Sequence, residues 1–317
     1  MSNRTRVYLP CFLVIAVLFS LAVGNACAEG AGDFTVVLLP DTQNYSEKFP
    51  ETYVQQTAWI ASRVKADNIR FVIHLGDIVQ KAERDNEWQV ADRAQKHLEG
   101  VVAHSLAVGN HDMEHDGDQI TRRTTLYDQY FPPSRFEKYP WYGGHMGDDN
   151  VNNFCLFEGG GMKFMVISLE FAPSDEALAW ANAVVAAHPD RRVIVATHYY
   201  LRPQGRPDDA SPYGLDGAGP EEMWQGLVRK HANIFMVVCG HVIGVHHQSS
   251  VNDAGGTVHE ILCDYQGEAN GGDGWLQTLR FVPAEDTIYV DAYSPKLARH
   301  NTAPEHTYVV RYEMPDE

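Results

Sequence analysis

The runs LLPDTQ, HLGDIV, VGNHD, VATHY and CGHV each carry an apolar stretch into a polar residue able to bind a cation. In order they deliver Asp41 with Gln43, then Asp77, then Asn110 with His111 and Asp112, then His198, and last His241. Carboxylate, amide and imidazole are the oxygen and nitrogen donors that divalent metals take. Singly, each motif has a plain explanation: a Gly-Asp is most often a turn, and a His after a strand most often a satisfied core residue. The chain holds 15 His, so chance placements are expected, and His74 and His104, inside their apolar runs, are assigned to the core. Five motifs, each closing an apolar run, are much harder to obtain by accident and point to a metal site. Glycine precedes Asp77, Asn110 and His241, which permits tight turns and close backbone approach.

The elements that must position these residues read as strands alternating with helices. FTVVLLP (34–40), IRFVIHLG (69–76), VVAHSLAVG (101–109), MKFMVISLE (162–170), RRVIVATH (191–198) and IFMVVCG (234–240) have strand length and are rich in β-branched residues. Helical patterns are expected over 51–65, 84–98, 175–187 and 220–231. Continuous apolar strands between helices indicate burial on both faces, hence an α/β fold. In such folds ligands bind outside the carboxyl ends of the strands, where these polar residues stand. From 256 onward the pattern is strands only (TVHEILCDY, WLQTLRFV, TIYVDAY, TYVVRYE), which predicts a second, antiparallel sheet packed on the first. Two connections are long enough to be functional or disordered. Residues 113–151 carry Tyr127, Phe131, Phe136, Trp141 and Tyr142, and read as an aromatic cap that either stacks on a substrate or only packs the loop down. Residues 201–220, rich in Pro, Gly and Asp, read as a mobile lid.

The ordered set Asp-x-Gln, Gly-Asp, Gly-Asn-His-Asp, His and Gly-His resembles the calcineurin-like metallophosphoesterases over nearly all of the chain after residue 28. The resemblance implies a four-layer α/β/β/α sandwich with a two-metal centre between its sheets. It implies that Asp77 bridges the metals, that Asp41 and Gln43 complete one site, and that Asn110, His198 and His241 complete the other. Asp77, Asn110 and His111 are then the catalytic set, with His111 facing the substrate. The chemistry agrees: two cations roughly 3.5–4 Å apart clamp the attacking and leaving oxygens of an in-line phosphoryl displacement. Holding them that close needs a shared anion such as Asp77. A neutral ligand such as Asn110 limits the negative charge an incoming phosphate meets. His111 can stabilise developing charge or protonate the leaving group. The activity implied is metal-dependent hydrolysis of a small phosphorylated substrate. Cleavage of a phosphodiester or nucleotide pyrophosphate, and a metal-binding surface protein without turnover, stay open.

Three positions depart from the family pattern. Gln43 stands where many members have His, although the branch that cleaves nucleotide diphosphate compounds also shows Gln there. Gln80 replaces an Asp that, in the protein phosphatase branch, buttresses the substrate-facing His. Ile243 has no lone pair where many relatives, with Gly-His-x-His, place a second ligand. The first site is then made of oxygen alone, which suits Mg²⁺, Mn²⁺ or Ca²⁺, while the imidazole-bearing second site also suits Zn²⁺ and Fe. Two divalent ions are expected, manganese first among them, with the first site the weaker. His246 and His247 follow at a different spacing and read as solvated side chains on an exposed loop.

Size and charge bound the rest. A formal charge of −17 repels nucleic acid backbones, whose binding is driven by Lys and Arg, so no nucleic acid partner is expected, nor an obligate protein partner. Arg4 and Arg6, an apolar run from Val7 to Val23 and Ala26-Cys27-Ala28 have the three-part form of a secretory signal peptide over 1–28. The run is short for a spanning helix and contains Pro10. The expected product is therefore a periplasmic or secreted protein, free of the membrane after cleavage, with one domain over 29–317. Cys155, Cys239 and Cys263 follow residue 28; an odd number excludes a disulfide scaffold, and a Cys239–Cys263 bridge stays open.

Overall fold

Every residue of β1 (Phe34–Leu39) is buried, and its two faces enter different cores. Phe34, Val36 and Leu38 point into one apolar cluster, while Val37 and Leu39 point into another. This alternation is the period of a strand, and it places β1 in a sheet covered on both sides. The computed structural model describes residues 32–210 and 212–314; the expected signal segment, 1–28, lies outside the described residues.

In chain order, β1 is followed by α1 (Gln43–Lys48), α2 (Pro50–Arg63), β2 (Ile69–His74), α3 (Asp85–Gln95) and β3 (Ala103–Leu106). The 113–151 segment contains the two-residue strands β4 (His115–Asp116) and β5 (Gln119–Ile120), the short helices α4 (Thr125–Tyr130) and α5 (Pro133–Phe136), and β6 (Tyr142–His145). Then come β7 (Asn153–Gly159), β8 (Met162–Ser168), α6 (Asp175–Ala187), β9 (Arg192–Ala196), α7 (Pro220–Gly226) and β10 (Ile234–Cys239). The remaining strands are β11 (Gly244–Val251), β12 (Thr257–Asp264), β13 (Leu276–Val282), β14 (Thr287–Ser294), β15 (Arg299–Asn301) and β16 (Tyr308–Arg311).

One sheet has the order β15-β14-β13-β1-β2-β3, with β16 also on β14; the other runs β11-β12-β10-β9-β8-β7-β6. Side chains from both sheets fill the cluster between them, among them Phe34, Phe71, Phe164, Phe235 and Phe281. Outside the first sheet, α1, α2 and α3 contribute Tyr45, Tyr53, Ile60 and Trp88 to a second cluster. Outside the second sheet, Ala181 and Val185 of α6 and Met223 and Trp224 of α7 close a third. The result is the expected α/β/β/α layering. Each large apolar side chain buried here contributes about 1.5–3 kcal/mol, so the layers are held by many such residues in concert. Local signals agree at the helix starts: Pro opens α2 and α7, and the Ser174 hydroxyl caps α6 by accepting from the Ala177 N–H at 3.1 Å.

The C-terminal strands do not form a sheet of their own. β12 lies parallel to β10 in the second sheet, and β13 lies antiparallel to β1 in the first. A strand's residue pattern sets which face is buried but not which neighbour it pairs with, so the sequence could not divide them. The helix expected over 220–231 is also broken, into α7 and a separate turn at Val228–Lys230. Cys155, Cys239 and Cys263 are free thiols. Cys239 pairs in register with Leu262, so Cys263 points to the opposite face of the sheet. Among the described residues no helix is long and apolar enough to cross a membrane.

Candidate metal centre

The parallel strands β1, β2 and β3 of one sheet and β9, β10 and β12 of the other end at the same edge of the sandwich, where the polar residues collect. Asp77, His198 and His241 bring ligand atoms within 4.8 Å of one another. His198 Nε2 lies 3.1 Å from Asp77 Oδ2, 3.3 Å from His241 Nδ1 and 4.0 Å from Asp41 Oδ2. The His241 N–H donates to Asp41 Oδ2 at 3.1 Å, tying the ends of β1 and β10 together across the sandwich. Gln43, the first residue of α1, and Asn110, in the turn after β3, are buried in the same region of the fold.

The backbone is built around this convergence. Asp77 and His241 have φ of 48° and 70°, a left-handed conformation that costs a non-glycine residue on the order of 1–3 kcal/mol and persists where surroundings impose it. Two glycines are required by closeness. A Cβ at Gly109 would lie 2.2 Å from Asp77 Oδ1, and one at Gly240 would lie 2.1 Å from Asp41 Oδ1. Asp112, fully buried, braces the turns: Oδ1 accepts from the N–H groups of Ile78 (2.8 Å) and Val79 (3.0 Å), and Oδ2 from that of Gly109 (2.8 Å). His74 belongs to the same bracing. Its Nδ1 accepts from the Gly76 N–H at 3.2 Å, so Nε2–H donates to Thr42 Oγ1 at 2.9 Å, and that hydroxyl donates to the Ile78 carbonyl at 3.1 Å. Burial pushes His74 down to about 3, which keeps it neutral.

The donor set fits divalent cations. Asp41 Oδ1, Gln43 Oε1 and Asn110 Oδ1 are buried oxygens without a protein hydrogen bond; such atoms are costly unless a ligand satisfies them. Burial, then the neighbouring Asp264, raises Asp41 well above the usual carboxylate range. Burial opposes ionisation of Asp77 too, but His198 and His111 outweigh it and hold Asp77 below that range. Burial works against a charged His198 as well, yet Asp77 and Asp41 prevail and raise it to about 10. The carboxylates thus draw positive charge to this point, the demand a bound cation meets. His198 Nδ1–H donates to the Leu75 carbonyl at 2.8 Å, which leaves Nε2 facing Asp77 as a ligand atom. Six residues, Asp41, Gln43, Asp77, Asn110, His198 and His241, in three chemical types, could hold a cation here.

His111 stands beside these groups. Its backbone N–H donates to Asp77 Oδ1 at 2.9 Å, and its Nδ1 lies 2.9 Å from the Gln80 carbonyl, to which Nδ1–H donates, with the Gln80 side-chain nitrogen 3.2 Å away. The carbonyl therefore supplies the ring's orienting acceptor where the side chain of Gln80 is only an amide. That carbonyl is fixed from α3, where buried Glu87 Oε2 accepts from the N–H groups of Gln80 (2.8 Å) and Lys81 (3.0 Å).

Several expectations about the surrounding loops change. Tyr127 and Phe131 are buried against Trp88, and Trp141 stacks on Tyr139 with ring centroids 5.1 Å apart beside Phe136 and His104. These aromatics pack the 113–151 segment onto the sandwich. The 201–220 segment is fastened by Arg206, which donates to Glu221 at 2.9 Å, bonds Glu260 and lies 4.4 Å over the Trp224 ring. Its Tyr213, 51% exposed, meets His241 edge-on with ring centroids 5.9 Å apart. His246 and His247 lie on β11, not on an exposed loop, and His247 stacks on Tyr308 at 5.1 Å. Sequence reasoning also missed Asp264 at the end of β12. ILCD repeats the signal of an apolar run closing on a carboxylate, but the strand had been placed outside the layer that carries the site.

A model of the calcineurin-like phosphoesterase family matches residues 34–244. The chain belongs to that family. It is 33% identical over 283 residues to the uncharacterized protein YvnB of Bacillus subtilis (strain 168), a match covering 87% of this chain and 21% of that protein. The structure is similar to that of the purple acid phosphatase PPD1 from yellow lupin (Lupinus luteus) seeds, with a TM-score of 0.55, 11% identity, and coverage of 89% of this chain and 54% of that one. The chain thus spans about a fifth of the length of the bacterial relative and about half that of the plant phosphatase.

Proposed function

We propose that this chain is an exported, metal-dependent hydrolase of phosphoric esters. The observation that carries the reading is the meeting of buried Asp77 and His198 with half-buried His241, with Asp41 held beside them by the His241 N–H. Asp41, Gln43 and Asp77 would hold one divalent cation; Asp77, Asn110, His198 and His241 would hold the other. When bound, the pair supplies Lewis-acid polarisation of the phosphoryl group and a deprotonated water as nucleophile near neutral pH. Asn110 contributes a neutral oxygen and so admits an anionic substrate. His111, its Nδ1–H committed to the Gln80 carbonyl, would in its imidazolium form pass the Nε2 proton to the departing oxygen and be left neutral. Tyr213 offers an exposed ring to an aromatic flank of the substrate. Export rests on the charged, apolar and small-residue pattern of 1–28. Manganese is the metal favoured by an oxygen-rich first site next to an imidazole-bearing second one.

The deciding experiment strips the purified chain with chelator, then assays a panel of phosphate monoesters, diesters and nucleotide pyrophosphates with Mn²⁺, Mg²⁺, Zn²⁺ and Ca²⁺ added back. Hydrolysis restored best by Mn²⁺ is expected. Two bound metals with no turnover on any ester would leave a metal-binding protein without catalysis.

A further inference from the structure

Ile243 leaves the first site one ligand short, and the structure shows what stands at that corner. The Ile243 side chain is 60% exposed and rests on the surface at Gly267, where an added Cβ would come within 2.6 Å of its Cγ2. The inner position belongs to the end of β12. Asp264 pairs in register with Gly244, next to Ile243, and its carboxylate is buried. Both its oxygens hold Gln266, Oδ1 accepting the backbone N–H at 2.8 Å and Oδ2 the side-chain amide at 2.9 Å. That same Nε2 lies 3.5 Å from Asp41 Oδ2 and 3.5 Å from the His241 carbonyl.

Resting on the two-metal reading above, we infer that Asp264 and Gln266 are positioning residues for the first metal. They act through Asp41 and stand in for the missing imidazole. Asp41 Oδ2 receives the Gln266 amide and the His241 N–H, while Asp41 Oδ1 has no protein partner. One oxygen is thus tied down by two donors, and the carboxylate is turned so that the other is available to a cation. Asp264 contributes in a second way. It adds a second buried carboxylate beside Asp41, bound to the same Gln266 amide, which strengthens the attraction for a divalent ion. Partners of this kind, one bond removed from the ligand, typically change metal affinity by about 10–100-fold.

The test is calorimetric titration of chelator-stripped protein with Mn²⁺, read alongside the melting temperature of the metal-free form. The parent is expected to show one tight and one weaker site. Asp264→Asn and Gln266→Ala should each weaken only the weaker site, by about 10–100-fold. Asp264→Asn exchanges one of the two acceptors that hold Gln266 for a donor, so a small drop in the metal-free melting temperature is expected beside the loss of affinity. A merely structural role lowers the metal-free melting temperature with the weaker affinity kept, and overturns the inference. Equal loss at both sites overturns it as well. A parent that binds one metal or none sinks the two-metal reading itself, and this inference with it. Gln266→Ala, at a half-buried position, keeps the question answerable if the substitution at buried Asp264 disturbs folding.

Discussion

Asp77 is where the two halves of the site meet, since one carboxylate oxygen faces His198 and the other takes the His111 N–H. Asp77→Asn keeps the size of the group and removes the charge that two cations would share. Elemental analysis of the purified variant should show both metals depleted, and hydrolysis should be lost; metal content at the parental level would refute the bridging role. His111 makes a different demand, because its ring is aimed by the Gln80 carbonyl and does not belong to the ligand set. His111→Ala should lower kcat by about 10²–10⁴, the usual scale for a general acid, with metal content unchanged. The deficit should shrink for activated aryl phosphates, whose leaving groups need no proton. An equal deficit for good and poor leaving groups would assign His111 to charge stabilisation.

At the scale of elements, the strand ends were legible and the strand partners were not. Asp41, Asp77, Asn110, His198 and His241 each follow an apolar run closely enough for position alone to mark them. Asp264 has the same signature, yet sheet membership comes from pairing with β10 across about 20 residues, which no local pattern encodes. The bracing by Asp112 and Glu87 was hidden for a related reason. Their partners are backbone N–H groups of other turns, and every residue type but proline supplies those. His74 and His104 were read as satisfied core residues. His104 Nδ1–H donates to the Val102 carbonyl at 3.0 Å, and burial pushes the ring down to about 4. An unfolded chain takes up this proton near pH 6.5, whereas the folded chain refuses it until about pH 4. The His104 contribution to stability is therefore fully present above about pH 6.5 and is lost as pH drops towards 4, on the order of 3 kcal/mol. Urea unfolding at a series of pH values should show this slope, and His104→Leu should lessen it, the remainder including buried His74; an unchanged slope would place the titration elsewhere.

At the scale of the molecule, the sandwich brings both sheets' strand ends to one edge, and the loops differ in how they stand towards it. The 113–151 segment spends its aromatics on burial: Tyr127 and Phe131 are covered, and Trp141 packs among Phe136, Tyr139 and His104. The 201–220 segment instead brings Tyr213 to the centre. Its ring has Phe171 on one side, with centroids 6.1 Å apart, and His241 on another, and half of its surface is open to solvent. A tyrosine ring in that setting offers stacking area at little conformational cost, and aromatic pairs are worth about 0.5–1.5 kcal/mol beyond their burial. Tyr213→Ala should therefore raise KM for aryl or nucleotide esters about 2- to 12-fold, leave KM for alkyl phosphates unchanged, and shift the melting temperature little. Trp141→Ala should do the reverse, lowering the melting temperature by several degrees with KM unchanged, because its contacts are with the protein. If Trp141→Ala moves KM for aryl substrates while Tyr213→Ala does not, the substrate lies over the 113–151 segment and the assignment of its face to the 201–220 segment is wrong.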